Sequence, residues 1–137
     1  MIQRIQTLYL FIIIVLQSVL LSTGAFKSLN ADLVEIDMTF KMTENYLLAA
    51  LTSFTALIPA ISMFLYKKRI LQMRFNIFNS ILLVVLQGFI VYYFIQGTGL
   101  MLSLQSVFPV ISLILSVLAI RNILKDEIKI RSLNRIR

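Results

Sequence analysis

Cysteine and histidine are both absent from the 137 residues, and charged side chains make up only 14% of them. Without cysteine there is no disulfide framework, no thiolate nucleophile and no Cys-ligated metal. Without histidine there is no imidazole base and no usual haem or zinc ligand. Charge is scarce as well, since a soluble domain carries about 25% charged residues. Apolar residues fill that space: they form 59% of the chain, against roughly 45–50% in soluble domains. The mean hydropathy of +0.91 completes the case for a membrane protein of 15.7 kDa. Four spans of ~20 residues would use about 80 residues. Only short connections are then left, so residues 1–137 are read as one integral membrane domain with no separate soluble part.

Four apolar runs stand out, roughly 8–26, 45–66, 75–95 and 102–124. None contains a carboxylate, and the only basic residue inside any of them is Arg121, near the end of the fourth. Each is long enough to cross about 30 Å of hydrocarbon at ~1.5 Å per residue. The basic residues segregate. Arg4, Lys67, Lys68, Arg69, Arg74, Arg121, Lys125, Lys129, Arg131, Arg135 and Arg137 fall on one side. Lys27 and Lys41 fall on the other, in an outer loop 27–44 that also holds Asp32, Glu35, Asp37 and Glu44. The positive-inside rule then puts both termini in the cytoplasm, and residues 125–137 form a basic cytoplasmic tail. The net charge of +7 is accounted for by these flanks, which meet anionic headgroups. No nucleic-acid partner is expected. The first run also has the layout of a signal peptide, with Thr23-Gly24-Ala25 as a passable cleavage site, but it is expected to be retained as a span.

Each span carries one stripe of neutral polar or small residues. Gln3, Gln6 and Gln17 fall within a roughly 60° arc at ~100° per residue. Thr52, Thr55, Pro59 and Ser62 share a face of the second span. Asn76, Asn79, Ser80 and Gln87 share one of the third, and Gln105, Pro109, Ser112 and Ser116 one of the fourth. Lipid offers an amide or hydroxyl no partner, so the stripes should face one another. The expected fold is an all-α four-helix transmembrane bundle. Gln17, Thr55, Ser62, Asn79, Gln87 and Ser112 are its candidate interhelical polar contacts. A lined path for a neutral solute is the alternative use of the same stripes. Proton-coupled transport usually needs an ionisable group within a span, and none lies there. The small multidrug transporters are similar in size and span count, but they rely on a glutamate in the first helix. Gln17 is the nearest polar residue here, and it does not titrate.

Pro59 and Pro109 are expected mid-span, each with a kink, because proline removes a backbone donor. Pro59-Ala60-Ile61-Ser62 matches Pro109-Val110-Ile111-Ser112, and Val15-Leu16-Gln17-Ser18 resembles Val85-Leu86-Gln87-Gly88. These pairs raise the expectation of a distant parallel repeat of two hairpins. In the outer loop, Val34–Thr43 alternates apolar and polar residues without error, the pattern of a half-buried strand. Phe26–Leu29 is placed to pair with it as a hairpin. Its apolar face, Val34, Ile36, Met38, Phe40 and Met42, is the candidate partner-docking surface; the alternative is a cap over the mouth of the bundle. In the tail, Ile120, Ile123, Leu124 and Ile128 share one face of a helix expected to continue for two or three turns.

The two ends carry a family resemblance. The opening Met1-Ile2-Gln3-Arg4-Ile5-Gln6-Thr7-Leu8-Tyr9-Leu10 resembles the start of a small four-span inner-membrane protein family of Bacteroidota-type bacteria, catalogued as a domain of unknown function. Leu118-Ala119-Ile120-Arg121, Lys125-Asp126-Glu127 and Arg131-Ser132-Leu133-Asn134-Arg135-Ile136-Arg137 resemble its ending. The resemblance covers the whole chain and implies an inner-membrane location in a diderm cell, with the acidic loop periplasmic. It brings no activity, cofactor or catalytic residues. Only Lys, Ser, Tyr and loop carboxylates remain as reactive groups, and no spacing among them resembles a catalytic set. The chain is therefore read as non-catalytic and without cofactor. The expected role is an accessory or structural subunit, with the bilayer and other membrane proteins as partners. A small carrier or channel for a neutral or lipidic solute is the alternative.

Overall fold

A computed structural model describes residues 2–28, 39–40, 45–65, 68–96 and 100–134. The elements run α1 (Ile2–Thr23), β1 (Phe26–Ser28), β2 (Thr39–Phe40), α2 (Tyr46–Phe64), α3 (Arg69–Gln96), β3 (Leu100–Leu102), a 3-10 turn (Leu104–Val107) and α4 (Phe108–Asn134). All four α-helices are long and apolar enough to cross a membrane. Each packs on its neighbours in sequence, and α1 closes the ring against α4, an up-down-up-down bundle. Both termini therefore lie at one end, here the terminal end, and the three strands at the other.

The helices meet along seams that step by four and three residues in turn. The buried positions are Gln6, Leu10, Ile13, Gln17 and Leu20 in α1, and Leu48, Thr52, Thr55, Pro59 and Ser62 in α2, with Ile58 beside them. In α3 they are Gln72, Asn76, Asn79, Leu83, Leu86 and Ile90. In α4 they are Pro109, Ser112, Ser116, Ala119, Ile123 and Asp126. This 3.5-residue period is that of knobs-into-holes packing in left-handed bundles. Many other large apolar side chains point outward: Phe11, Phe54, Phe78 and Ile114 are among those exposed. Such a surface is solvated by lipid. With no hydrophobic drive between helices in lipid, close packing and polar contacts hold the seams. Exposed hydroxyls on α1 are satisfied locally, as Ser18 and Ser22 donate to the carbonyls of Ile14 and Ser18 at 2.8 and 2.9 Å.

Several expected boundaries shift, each for a physical reason. The first span ends at Thr23 rather than residue 26. Gly24 has φ 81°, and its N–H bonds the carbonyl of Leu20 at 2.9 Å, a left-handed stop that glycine adopts freely. Ala25 is fully buried, and its carbonyl accepts from the Ser103 N–H at 3.0 Å. Thr23-Gly24-Ala25 is thus a helix stop leading into a strand. α3 begins at Arg69, so most of the basic segment between the apolar runs 45–66 and 75–95 is helix. α4 starts only at Phe108, which puts Pro109 in its first turn. A missing N–H costs nothing there, because first-turn donors have no helical acceptor. The mid-span kink expected at Pro109 is therefore absent. Pro59 does lie within a helix, and α2 runs unbroken through it. Ser62 then sits in the last turns of α2 but Ser112 near the start of α4, so the proposed repeat pairs residues at different depths.

The outer loop meets the bundle through a small sheet ordered β2-β1-β3. β1 pairs antiparallel with β2 (Phe26 with Phe40, Lys27 with Thr39) and with β3 (Phe26 with Leu102, Ser28 with Leu100). Strand geometry over the alternating segment is described only at Thr39 and Phe40; Val34, Ile36, Met38 and Met42 lie outside the described residues. β3 comes from the second outer loop and ties the two loops together. Beneath the sheet, Leu20, Ala25, Leu48, Leu86 and Ile90 form an apolar cluster backed by Phe89, Tyr93 and Phe108.

Candidate functional site

The candidate site is the polar part of the four seams, which extends from the terminal end to the apolar cluster. At its middle, Gln17 joins three helices. Its Nε2 donates to Ser112 Oγ of α4 at 3.0 Å. Its Oε1 accepts from Thr55 Oγ1 of α2 at 3.3 Å. Thr55 also lies 2.8 Å from the carbonyl oxygen of Thr52, so its single proton is shared. All three side chains are fully buried. Gln17, Thr55 and Ser112, separated by up to 95 residues in sequence, form one cluster as their stripes imply.

A second cluster joins α3 to α4. The hydroxyls of Ser80 and Ser116 lie 2.9 Å apart, and Ser116 Oγ also donates to the carbonyl of Asn76 at 3.3 Å. Ser80 Oγ donates to the same carbonyl at 2.9 Å. The other predicted contacts do not pair across helices. Ser62 Oγ and both amide atoms of Asn79 are buried without a hydrogen-bond partner among the described residues, and the amide of Asn76 is in the same state. Gln87 is only half-buried, one step off the seam positions Leu83, Leu86 and Ile90, and its Oε1 has no partner. Gln105 turns to its own loop, where its Oε1 accepts from Ser103 Oγ.

The third cluster was missed in the sequence reading. Gln6 Nε2 donates to Asp126 Oδ2 at 2.8 Å, linking α1 to α4 at the terminal end. Asp126 is only 7% exposed. Arg121 and Lys125 marked the fourth span as over by residue 124, and both are indeed exposed. The signal lay in the spacing: Ser112, Ser116, Ala119, Ile123 and Asp126 keep the seam period past the charges. The apolar face drawn through Ile120, Ile123, Leu124 and Ile128 is corrected accordingly. Ile123 is buried, whereas Leu124 and Ile128 are exposed at 41% and 65%.

Chemically, the seam offers amides, hydroxyls and one carboxyl. Among the described residues, no group of three or more His, Asp, Glu or Cys could hold a metal ion. The arrangement can bind helices to one another and can offer hydrogen bonds to a neutral polar molecule.

Four apolar helices around a narrow polar seam define a small multi-pass membrane protein of the four-helix bundle class. The chain belongs to the family DUF4293, a domain of unknown function, whose model matches residues 2–136. No curated protein and no solved structure matches it.

Proposed function

We propose that this protein is a non-catalytic accessory or structural subunit of a larger inner-membrane complex. The observation that carries this reading is how the seam is used. Gln17, Ser112, Thr55, Ser80, Ser116, Gln6 and Asp126 are engaged in contacts between helices, and Leu20, Leu48, Leu86 and Ile90 fill the bundle beyond them. That supports a scaffold over a conduit. Two surfaces support docking. The outer edges of β2 and β3 have no further strand within the described sheet, so each can extend it with a partner strand. On the outward face of α3, a Cβ added to Gly88 would meet nothing within 4 Å. A shallow recess of about 330 Å³ lies there, bounded by Val85, Phe89 and Tyr92, and a partner helix can approach it closely.

Native-membrane pull-down of the full chain tests the proposal. Phe40→Asp is expected to release co-purifying membrane proteins, since full burial of such a side chain is worth ~1.5–3 kcal/mol. Thr39→Asp, on the opposite strand face, is expected to release far less. A chain that always runs alone in gentle detergent would overturn the subunit reading. It would favour instead a small carrier or channel for a neutral solute, the use to which the unpartnered amides of Asn76 and Asn79 are suited. The proposed orientation has cytoplasmic termini and is supported by the basic residues gathered at the terminal end. Cysteine at Glu35 should label from outside the inner membrane, and cysteine at Arg69 should not. Labelling of both from one side would refute it.

A further inference from the structure

Two helices are longer than the bilayer needs. α3 has 28 residues and α4 has 27, about 40 Å each at ~1.5 Å per residue against roughly 30 Å of hydrocarbon. Their excess at the terminal end lies side by side, just beyond the apolar runs that begin at Phe75 and end at Leu124. There Lys68, Arg69 and Arg74, with Ile70 and Leu71 among them, line an open groove of about 710 Å³, with Glu127 and Ile130 on its α4 wall. A narrower cleft of about 200 Å³ continues from it between the helices. Ile70, Met73, Ile123, Leu124 and Ile128 line that cleft, and Arg69 and Glu127 are shared with the groove.

We propose that this groove binds the phosphate headgroup of an anionic phospholipid, with an acyl chain along the apolar cleft. Three cations face one carboxylate, so the groove is net positive. Two of the cations are arginines, whose planar forks match phosphate oxygens. The groove holds the cations and the cleft beside it is lined mainly by apolar side chains, which suits a charged headgroup joined to an acyl chain. Groove and cleft both flank the ends of the apolar runs, which is headgroup depth. Basic pockets between transmembrane helices are a known setting for such headgroups. A water-soluble anion would use the groove and leave the cleft empty. This assignment is independent of the subunit reading, because it concerns lipid and not a protein partner.

Native mass spectrometry of the full chain in neutral detergent, with phosphatidylglycerol or phosphatidylcholine added, tests it. The wild type is expected to retain phosphatidylglycerol about tenfold more tightly. Arg69→Gln with Arg74→Gln should erase that preference. Arg121→Gln with Lys125→Gln removes the same charge from the same end, outside the groove, and should leave it intact. Ile128→Trp, which fills the cleft without altering charge, should weaken phosphatidylglycerol as well; this variant reports on the site even if the arginine pair proves needed for folding. Equal retention of the two lipids by the wild type would overturn the proposal. So would equal losses in the two double variants, which would mean diffuse surface charge. Displacement of the lipid by millimolar glycerol phosphate would overturn it too, by assigning the groove to a soluble anion.

Discussion

Gln6→Leu is expected to lower the stability of the bundle by about 1–3 kcal/mol, the cost of leaving a buried acceptor unsatisfied. The acceptor is Asp126, 7% exposed and bonded by Gln6 at 2.8 Å. An average interhelical hydrogen bond in lipid is worth only ~0.6 kcal/mol, because polar side chains find other partners when helices separate. The larger figure applies here because a carboxyl would remain inside the folded bundle without its donor. Replacing both partners removes that penalty, so Gln6→Leu with Asp126→Leu should recover most of the loss. Thermal unfolding in detergent of the four members of the cycle is the measurement. If the double variant is no more stable than Gln6→Leu alone, the pair is not coupled.

Gln17→Leu should be the second large effect. It removes both bonds made by Gln17 itself, to α4 and to α2, at 3.0 and 3.3 Å. Two such contacts sum to about 1–3 kcal/mol, from the average to the upper range measured in lipid. Thr55 keeps its bond to the carbonyl of Thr52, whereas Ser112 loses its donor. Gln87→Leu is the informative comparison. Gln87 is expected from sequence as an interhelical contact, but its Oε1 has no hydrogen-bond partner among the described residues and its position is off the seam. That variant should be neutral or slightly stabilising. Equal melting of Gln17→Leu and Gln87→Leu would show that the α1–α2–α4 junction carries no special weight.

The two glutamines show where legibility ended. Val15-Leu16-Gln17-Ser18 and Val85-Leu86-Gln87-Gly88 look alike in sequence. Gln17 falls on a seam stepping four and three, and Gln87 falls one residue past Leu86. The stripe through Asn76, Asn79, Ser80 and Gln87 was read at an ideal helical period. Over the eleven residues from Asn76 to Gln87, the difference between periods of 3.6 and 3.5 displaces a side chain by tens of degrees. That is enough to move Gln87 from the centre of the interface toward its flank. The same difference hid Asp126, which follows the 3.5-residue seam beyond the point where charge announced the end of the span.

Four spans, a common side for both termini and a polar inner face were all written in the order of residues. These properties depend on transfer between water and lipid, which each segment settles for itself. Partner identity depends on depth and azimuth of residues far apart in the chain. No local pattern could say that Gln6 meets Asp126, that Ser80 meets Ser116 while the amide of Asn79 finds no hydrogen-bond partner among the described residues, or that β1 takes β3 from the second outer loop as a neighbour. Nor could it say that α3 begins at Arg69 and so lays Arg69 and Arg74 beside α4. Those outcomes follow from how four seams of fixed spacing come into register, and register exists only once all four helices are packed.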